Sequence, residues 1–254
     1  MRHGAQKGLF DLLFRVPAVC ADMVAAGQAD IGIIPSFELL SQELTVVPGV
    51  GIASRGAVRS ILLISKRPAG QIRTLAADVS SRTSVALARI ILSRRFGVEP
   101  LVITRRPDLP SMLGEADSAL IIGDPALRID PEALPFHVYD LGREWMETTG
   151  LPMVFAVWAG PRECITPEVA VAFQDSCACG LRNLEQITGE EAAARGFAPD
   201  LVRRYLSSHI VYELGAEERQ GMQLFLRYAR ELPVLGEARA SRAPAGLTPQ
   251  AGSD

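Results

Sequence analysis

Two apolar runs constrain this chain more than any other feature. Val58-Arg-Ser-Ile-Leu-Leu-Ile-Ser-Lys66 and Met153-Val-Phe-Ala-Val-Trp158 both read as buried strands. Between them, strand and helix signals alternate. Leu75-Ala-Ala-Asp78, Leu101–Thr104, Ala119-Leu-Ile-Ile122 and Val138-Tyr-Asp140 read as strands. Val85, Ala88, Ile91 and Leu92 recur at helical spacing, and Gly97 stops that helix. Upstream, Pro17 opens a helix with Ala21, Val24 and Ala25 on one face and Gly27 at its end. Asp30-Ile-Gly-Ile-Ile34 is a short strand, and Ser36 reads as the N-cap of a helix carrying Phe37, Leu39 and Leu40. Beyond Trp158 everything reads as helix. One candidate spans Pro167 to Thr188, a second starts at Asp200 with Val202, Tyr205, Leu206 and His209, and a third carries Met222, Phe225, Leu226 and Ala229.

This pattern predicts an α/β protein of two lobes, with the chain crossing between them twice. Residues 1–66 and 152–236 are expected to form lobe 1, and residues 67–151 lobe 2. A ligand would sit in the cleft between the lobes. Residues 237–254 turn to Ala, Pro, Gly, Ser and Arg and are expected to be a disordered tail.

Composition removes several function classes. The chain has 254 residues, a formal charge of −3 and a pI near 5.7, which disfavours a nucleic-acid partner. No apolar run approaches the roughly 18 residues of a membrane span. Four cysteines (Cys20, Cys164, Cys177, Cys179) are too few for a disulfide scaffold and lack zinc spacing, so they read as small buried apolar residues. Three scattered histidines (His3, His137, His209) give no metal or triad motif. Asp11 and Arg15 interrupt what would be the apolar core of an N-terminal signal, and a cytoplasmic location is expected.

The most informative polar segment is Ser80-Ser-Arg-Thr-Ser84, between a strand and a helix. N–H groups at the helix start, hydroxyls from Ser81, Thr83 and Ser84 and the charge of Arg82 suit a carboxylate or phosphate. Simple N-capping by one serine is the alternative. Gly123-Asp124 follows an apolar strand, where open α/β sheets place ligand groups. Asp124 either binds a substrate hydroxyl, acts as acid or base, or caps the turn before Pro125. Ser60 interrupts an apolar strand and needs a partner, whether backbone or ligand. Thr148-Thr-Gly-Leu151-Pro152 either lines the cleft or serves as a hinge, and Trp145 and Trp158 read as core. No nucleophile–base pair and no glycine-rich phosphate loop stands out. From residues alone, the chain has a cleft for a small anion, with enzyme and binding protein both open.

Several stretches, taken together and in order, carry a resemblance. They are Gly56-Ala-Val-Arg-Ser60, Ser80-Ser-Arg-Thr-Ser-Val85, Ala119-Leu-Ile-Ile-Gly-Asp124, Tyr139-Asp-Leu-Gly142 with Trp145, and Thr149-Gly-Leu-Pro-Met-Val-Phe-Ala-Val-Trp158. Tyr212-Glu-Leu-Gly-Ala-Glu-Glu-Arg219 extends them, so the likeness spans residues 10–235. The chain resembles the chorismate dehydratase family of the futalosine route to menaquinone. That resemblance implies a type II periplasmic-binding-protein-like fold, a cytoplasmic hydro-lyase acting on chorismate, and no metal or organic cofactor. It implies that Ser60 is the active-site serine and that Ser81, Thr83 and Ser84 hold a carboxylate, with Ser36, Arg82, Gly123, Asp124, Leu151 and Pro152 around the substrate. The family opens with a strand ending in a Leu-Asn-x-x-Pro type motif. This sequence opens Met1-Arg-His-Gly-Ala-Gln-Lys7, so that strand is expected to be lacking. The alternatives are 1,4-dihydroxy-6-naphthoate synthase of the same route and a non-catalytic small-anion binding protein.

Overall fold

The computed structural model describes residues 6–78 and 81–232. Its strands are β1 (Gly32–Pro35), β2 (Thr45–Ser54), β3 (Ile61–Ser65), β4 (Thr74–Ala77), β5 (Leu101–Thr104), β6 (Ser118–Ile122), β7 (His137–Asp140), β8 (Met153–Gly160) and β9 (Val211–Glu213). They form a four-stranded sheet, β1-β8-β2-β9, with every pairing antiparallel, and a five-stranded sheet, β5-β4-β6-β3-β7. In the larger sheet β4 runs parallel to β5 and β6, whereas β3 runs antiparallel to β6 and β7. The helices are α1 (Pro17–Ala25), α2 (Arg82–Phe96), α3 (Leu109–Glu115), α4 (Gly123–Leu127), α5 (Leu141–Thr149), α6 (Pro167–Arg182), α7 (Leu184–Arg195), α8 (Pro199–Arg204) and α9 (Ala216–Arg230). Among the described residues no helix is long and apolar enough to cross a membrane.

β3 sits inside the larger sheet and is buried on both faces, which is why its sequence is a continuous apolar run. Leu63 faces α2, while Leu62 and Ile64 face the cluster of Met112, Leu113 and Ala126 on α3 and α4. Helix α2 ends at Gly97 in the left-handed conformation and packs on α5, α9 and the short turn 36–40. Its core joins Leu63 and Leu75 of one sheet to Met153 and Phe155 of the other. Trp145 is fully buried there, edge-on to Phe225 and Tyr228, and Trp158 packs edge-on against Phe173.

Several expectations are corrected. The strand placed at 58–66 starts at Ile61 and pairs with β6 and β7, so it belongs to the sheet of the 67–151 block rather than with residues 1–57. The chain therefore passes between the sheets at residues 55–60 and again at 150–152. Arg59 has a left-handed backbone (φ 67°), which breaks the extended run ahead of Ile61. The region after Trp158 is not all helix: β9 pairs with β2. β2 itself escapes the periodic pattern because its register shifts between Val46 and Gly51, around a left-handed Gly49 (φ 82°). The single helix expected over 167–188 divides at Asn183, which leaves helical geometry (φ −105°, ψ 21°). The four cysteines are free thiols and half-buried rather than buried. Residues 237–254, the opening Met1–Ala5 stretch and Ser80 lie outside the described residues.

Candidate active site

Sheet direction brings the candidate residues to one edge. β4 and β6 are parallel, and β7 is antiparallel to β3, which is antiparallel to β6. The carboxyl ends of β4, β6 and β7 therefore meet the amino end of β3. That edge carries Ser60, the segment entering α2, Gly123-Asp124 and Asp140. Ligands in open α/β folds bind at such carboxyl ends.

Ser60 is buried, and its carbonyl accepts from Gly123 N at 2.8 Å. The Tyr205 phenol donates to Ser60 Oγ at 3.0 Å. The strained turn before Ser60 is held from several sides. Asp140 accepts from Val58 N (2.9 Å) and Arg59 N (2.6 Å), and also from Gly142 N and Arg143 N at the start of α5. Arg59 donates to the carbonyls of Ala126 (3.0 Å) and Ile129. His209 Nδ1 donates to the Ala57 carbonyl at 2.9 Å, since a carbonyl can only accept.

Tyr205 and His209 bound a π-helical turn, in which Ile210 N reaches the Tyr205 carbonyl at 3.2 Å. Such turns are rare and concentrate at functional sites. Burial pushes the Tyr205 phenol above its usual range, and the Asp124 charge adds to this. Burial likewise pushes up the neighbouring Tyr212 phenol. Both phenols are neutral near pH 7, and that of Tyr205 is the donor to Ser60. In the sequence, Tyr205 and His209 read as two more residues of a helical stretch that starts at Asp200. The available signal was a phenol and an imidazole on an otherwise apolar stripe.

The second group gathers at the start of α2. Thr83 and Ser84 are buried, and Ser81 stands at the N-cap position without a side-chain cap. Thr83 Oγ1 accepts from Phe37 N at 3.2 Å, which leaves the threonine proton free to donate. Arg82 is turned away from this role. Its guanidinium pairs with Glu38 at 2.7 Å and Asp22 at 3.5 Å, so its charge is already matched. Ser36 is not an N-cap: its hydroxyl donates to the Val154 carbonyl at 2.8 Å, inside the smaller sheet. Asp124 caps no helix with its side chain and accepts instead from Arg195 at 3.0 Å. Leu151 and Pro152 do not join either group. The Pro152 carbonyl accepts from Trp145 Nε1 at 3.2 Å, Leu151 N donates to Thr149 Oγ1, and both residues lie against Gly221 of α9.

Residues 3–231 match the family described as menaquinone biosynthesis. The chain belongs to that family. A curated chorismate dehydratase from Thermus thermophilus is 31% identical over 234 residues, covering 85% of each chain. Among solved structures, a protein from Archaeoglobus fulgidus superposes with a TM-score of 0.67 at 15% identity, covering 87% of this chain and 86% of that one. The periplasmic aliphatic sulphonate binding protein SsuA of Escherichia coli does so with a TM-score of 0.57 at 17% identity, covering 87% and 81%. These likenesses show the fold, and it is the periplasmic-binding-protein-like architecture expected from the sequence.

Proposed function

We propose that the chain is a chorismate dehydratase, a hydro-lyase that eliminates water from chorismate to give 3-[(1-carboxyvinyl)oxy]benzoate. The observation that carries this reading is the match to the Thermus thermophilus chorismate dehydratase along 85% of both chains. The chemistry of the site supports it. Chorismate carries two carboxylates, and the start of α2 offers helix N–H groups with the hydroxyls of Ser81, Thr83 and Ser84. Ser60 offers a further hydroxyl at the same sheet edge. Arg82 has no direct part in this reading, because Glu38 and Asp22 already hold its charge.

The elimination needs little from the protein beyond placement. A ring C–H bond breaks, its electron pair enters the ring, and the C4 hydroxyl leaves with a proton as water. The product ring is aromatic, so the driving force is large. The base in this reading is the substrate's own enolpyruvyl carboxylate, held against the ring proton. Aligned hydroxyl and N–H donors then stabilise the charge that moves. No metal or organic cofactor is required, and the partner is a free small molecule in the cytoplasm.

Incubation with chorismate, followed by liquid chromatography and mass spectrometry, tests the reading. The expected product is the aromatic enolpyruvyl ether. Chorismate that binds without turnover would instead make this a binding protein. Replacing Thr83 and Ser84 together by Ala should raise KM about tenfold or more, the scale of one or two lost hydrogen bonds to a charged group. An unchanged KM would remove the carboxylate assignment.

A further inference from the structure

We propose that Tyr205 is a positioning residue for Ser60, donating its phenol proton to Ser60 Oγ so that the serine gives its own proton to the bound ligand. This inference rests on the reading of Ser60 as the active-site serine. A serine hydroxyl has one proton and two lone pairs. At 3.0 Å the phenol proton occupies one lone pair, and the serine cannot donate back along the same line. Its proton is directed elsewhere, and among the described residues the other hydrogen bond of Ser60 is on its backbone, where Gly123 N holds the carbonyl. The hydroxyl is thus converted from a free rotor to an oriented donor.

The surroundings of Tyr205 fit that role. Its ring packs on the apolar core shared with Phe37, Ile122 and Tyr212, a setting in which a phenylalanine would serve equally well for packing. A hydroxyl placed there without a partner is costly, and the bond to Ser60 Oγ supplies one. The π turn brings Tyr205 and His209 onto the same short segment, one at Ser60 Oγ and the other at the Ala57 carbonyl. Backbone and side chain of the crossing are therefore fixed by one element. The phenol stays protonated, because burial and the charge of Asp124 both disfavour its anion. Hydrogen bonds in such a chain polarise one another, so Tyr205 also strengthens the donor it orients.

A double-mutant cycle on chorismate turnover tests this, using Tyr205→Phe, Ser60→Ala and the pair. Tyr205→Phe should lower kcat about tenfold, the scale of one neutral hydrogen bond, with KM changed less than about twofold. Its melting temperature should stay within a few degrees, since the ring keeps its seat. In the Ser60→Ala background the same substitution should change kcat no further. An unaltered kcat in Tyr205→Phe, or losses that multiply with those of Ser60→Ala, would overturn the positioning role while leaving Ser60 in place. Full activity in Ser60→Ala would instead remove the serine assignment and Tyr205's role with it. A wild-type chain that leaves chorismate unchanged would overturn both.

Discussion

The two crossings between the sheets are built on different physics. Residues 55–60 are held by polar atoms: Asp140 on the N–H groups of Val58 and Arg59, His209 on the Ala57 carbonyl, and Tyr205 on Ser60. Residues 150–152 make local hydrogen bonds, to Trp145 and Thr149 among others, and are further held by shape. Gly150 turns the chain in the left-handed region (φ 70°), and Gly221 approaches so closely that a Cβ there would lie 1.9 Å from the Pro152 carbonyl oxygen. Close packing fixes how far apart two elements stand. Hydrogen bonds also fix where single atoms point. Only the first crossing carries the serine whose proton is aimed, and its polar contacts come from side chains distant in the sequence, whereas those of the second, Trp145 to Pro152 and Leu151 to Thr149, are local.

The largest expected effect is on the first crossing. Asp140→Ala would strand four N–H groups, those of Val58, Arg59, Gly142 and Arg143. A lost N-cap and a lost turn anchor together should cost about 3 kcal/mol of stability in chemical denaturation. Chorismate turnover should fall more than about tenfold in the fraction that stays folded, because the left-handed Arg59 then relaxes and Ser60 moves. Asp140→Asn keeps an oxygen for part of this set and should recover part of both losses. Normal turnover in folded Asp140→Ala would show that the polar lock serves stability alone and would erase the contrast between the crossings.

The second crossing should respond in one way only. Gly221→Ala forces α9 and Pro152 apart, at about 2 kcal/mol by analogy with overpacked cores. Alanine's better helix propensity works against that loss, so any destabilisation measured is steric. Turnover per folded molecule should be unchanged. A fall in kcat would mean that the spacing set at Pro152 reaches the reacting groups as well.

The same contrast explains what the sequence revealed. β3 and β8 were legible because strands buried on both faces leave unbroken apolar runs. β2 was not, because Pro48, Gly49 and Gly51 break its pattern where its register shifts, and β9 is only three residues long. The hydroxyls at 60 and 81–84 stood out against apolar neighbours. Their partners did not: Tyr205 is 145 positions from Ser60, and Glu38 is 44 from Arg82. Nothing local marks a phenol that will meet a distant serine, or an arginine whose charge a distant glutamate will take. Ser36 failed for the same reason, since the Val154 carbonyl it bonds lies 118 residues away.

Helix α9 touches both crossings from one face and offers the smallest and sharpest test. Gly221 packs on Pro152, and Glu218, three residues earlier, pairs with Arg55 at 2.8 Å. Burial alone would raise the Glu218 carboxyl. Arg55, together with the N–H groups of Glu218 and Gly215, holds it below the usual carboxylate range. A carboxyl that ionises more readily folded than unfolded contributes stability above its unfolded pKa, about 4.3, and loses it as pH falls through the lower folded value. Glu218→Gln should therefore be less stable than the wild type at neutral pH and converge with it as pH drops below about 4. Gly221→Ala involves no titrating group, so its deficit should be the same at both pH values. Urea denaturation of the three proteins at the two pH values separates these outcomes. A deficit in Glu218→Gln that does not shrink in acid would mean that the glutamate anchors the first crossing by packing rather than by charge, and the two crossings would then differ less than their contacts suggest.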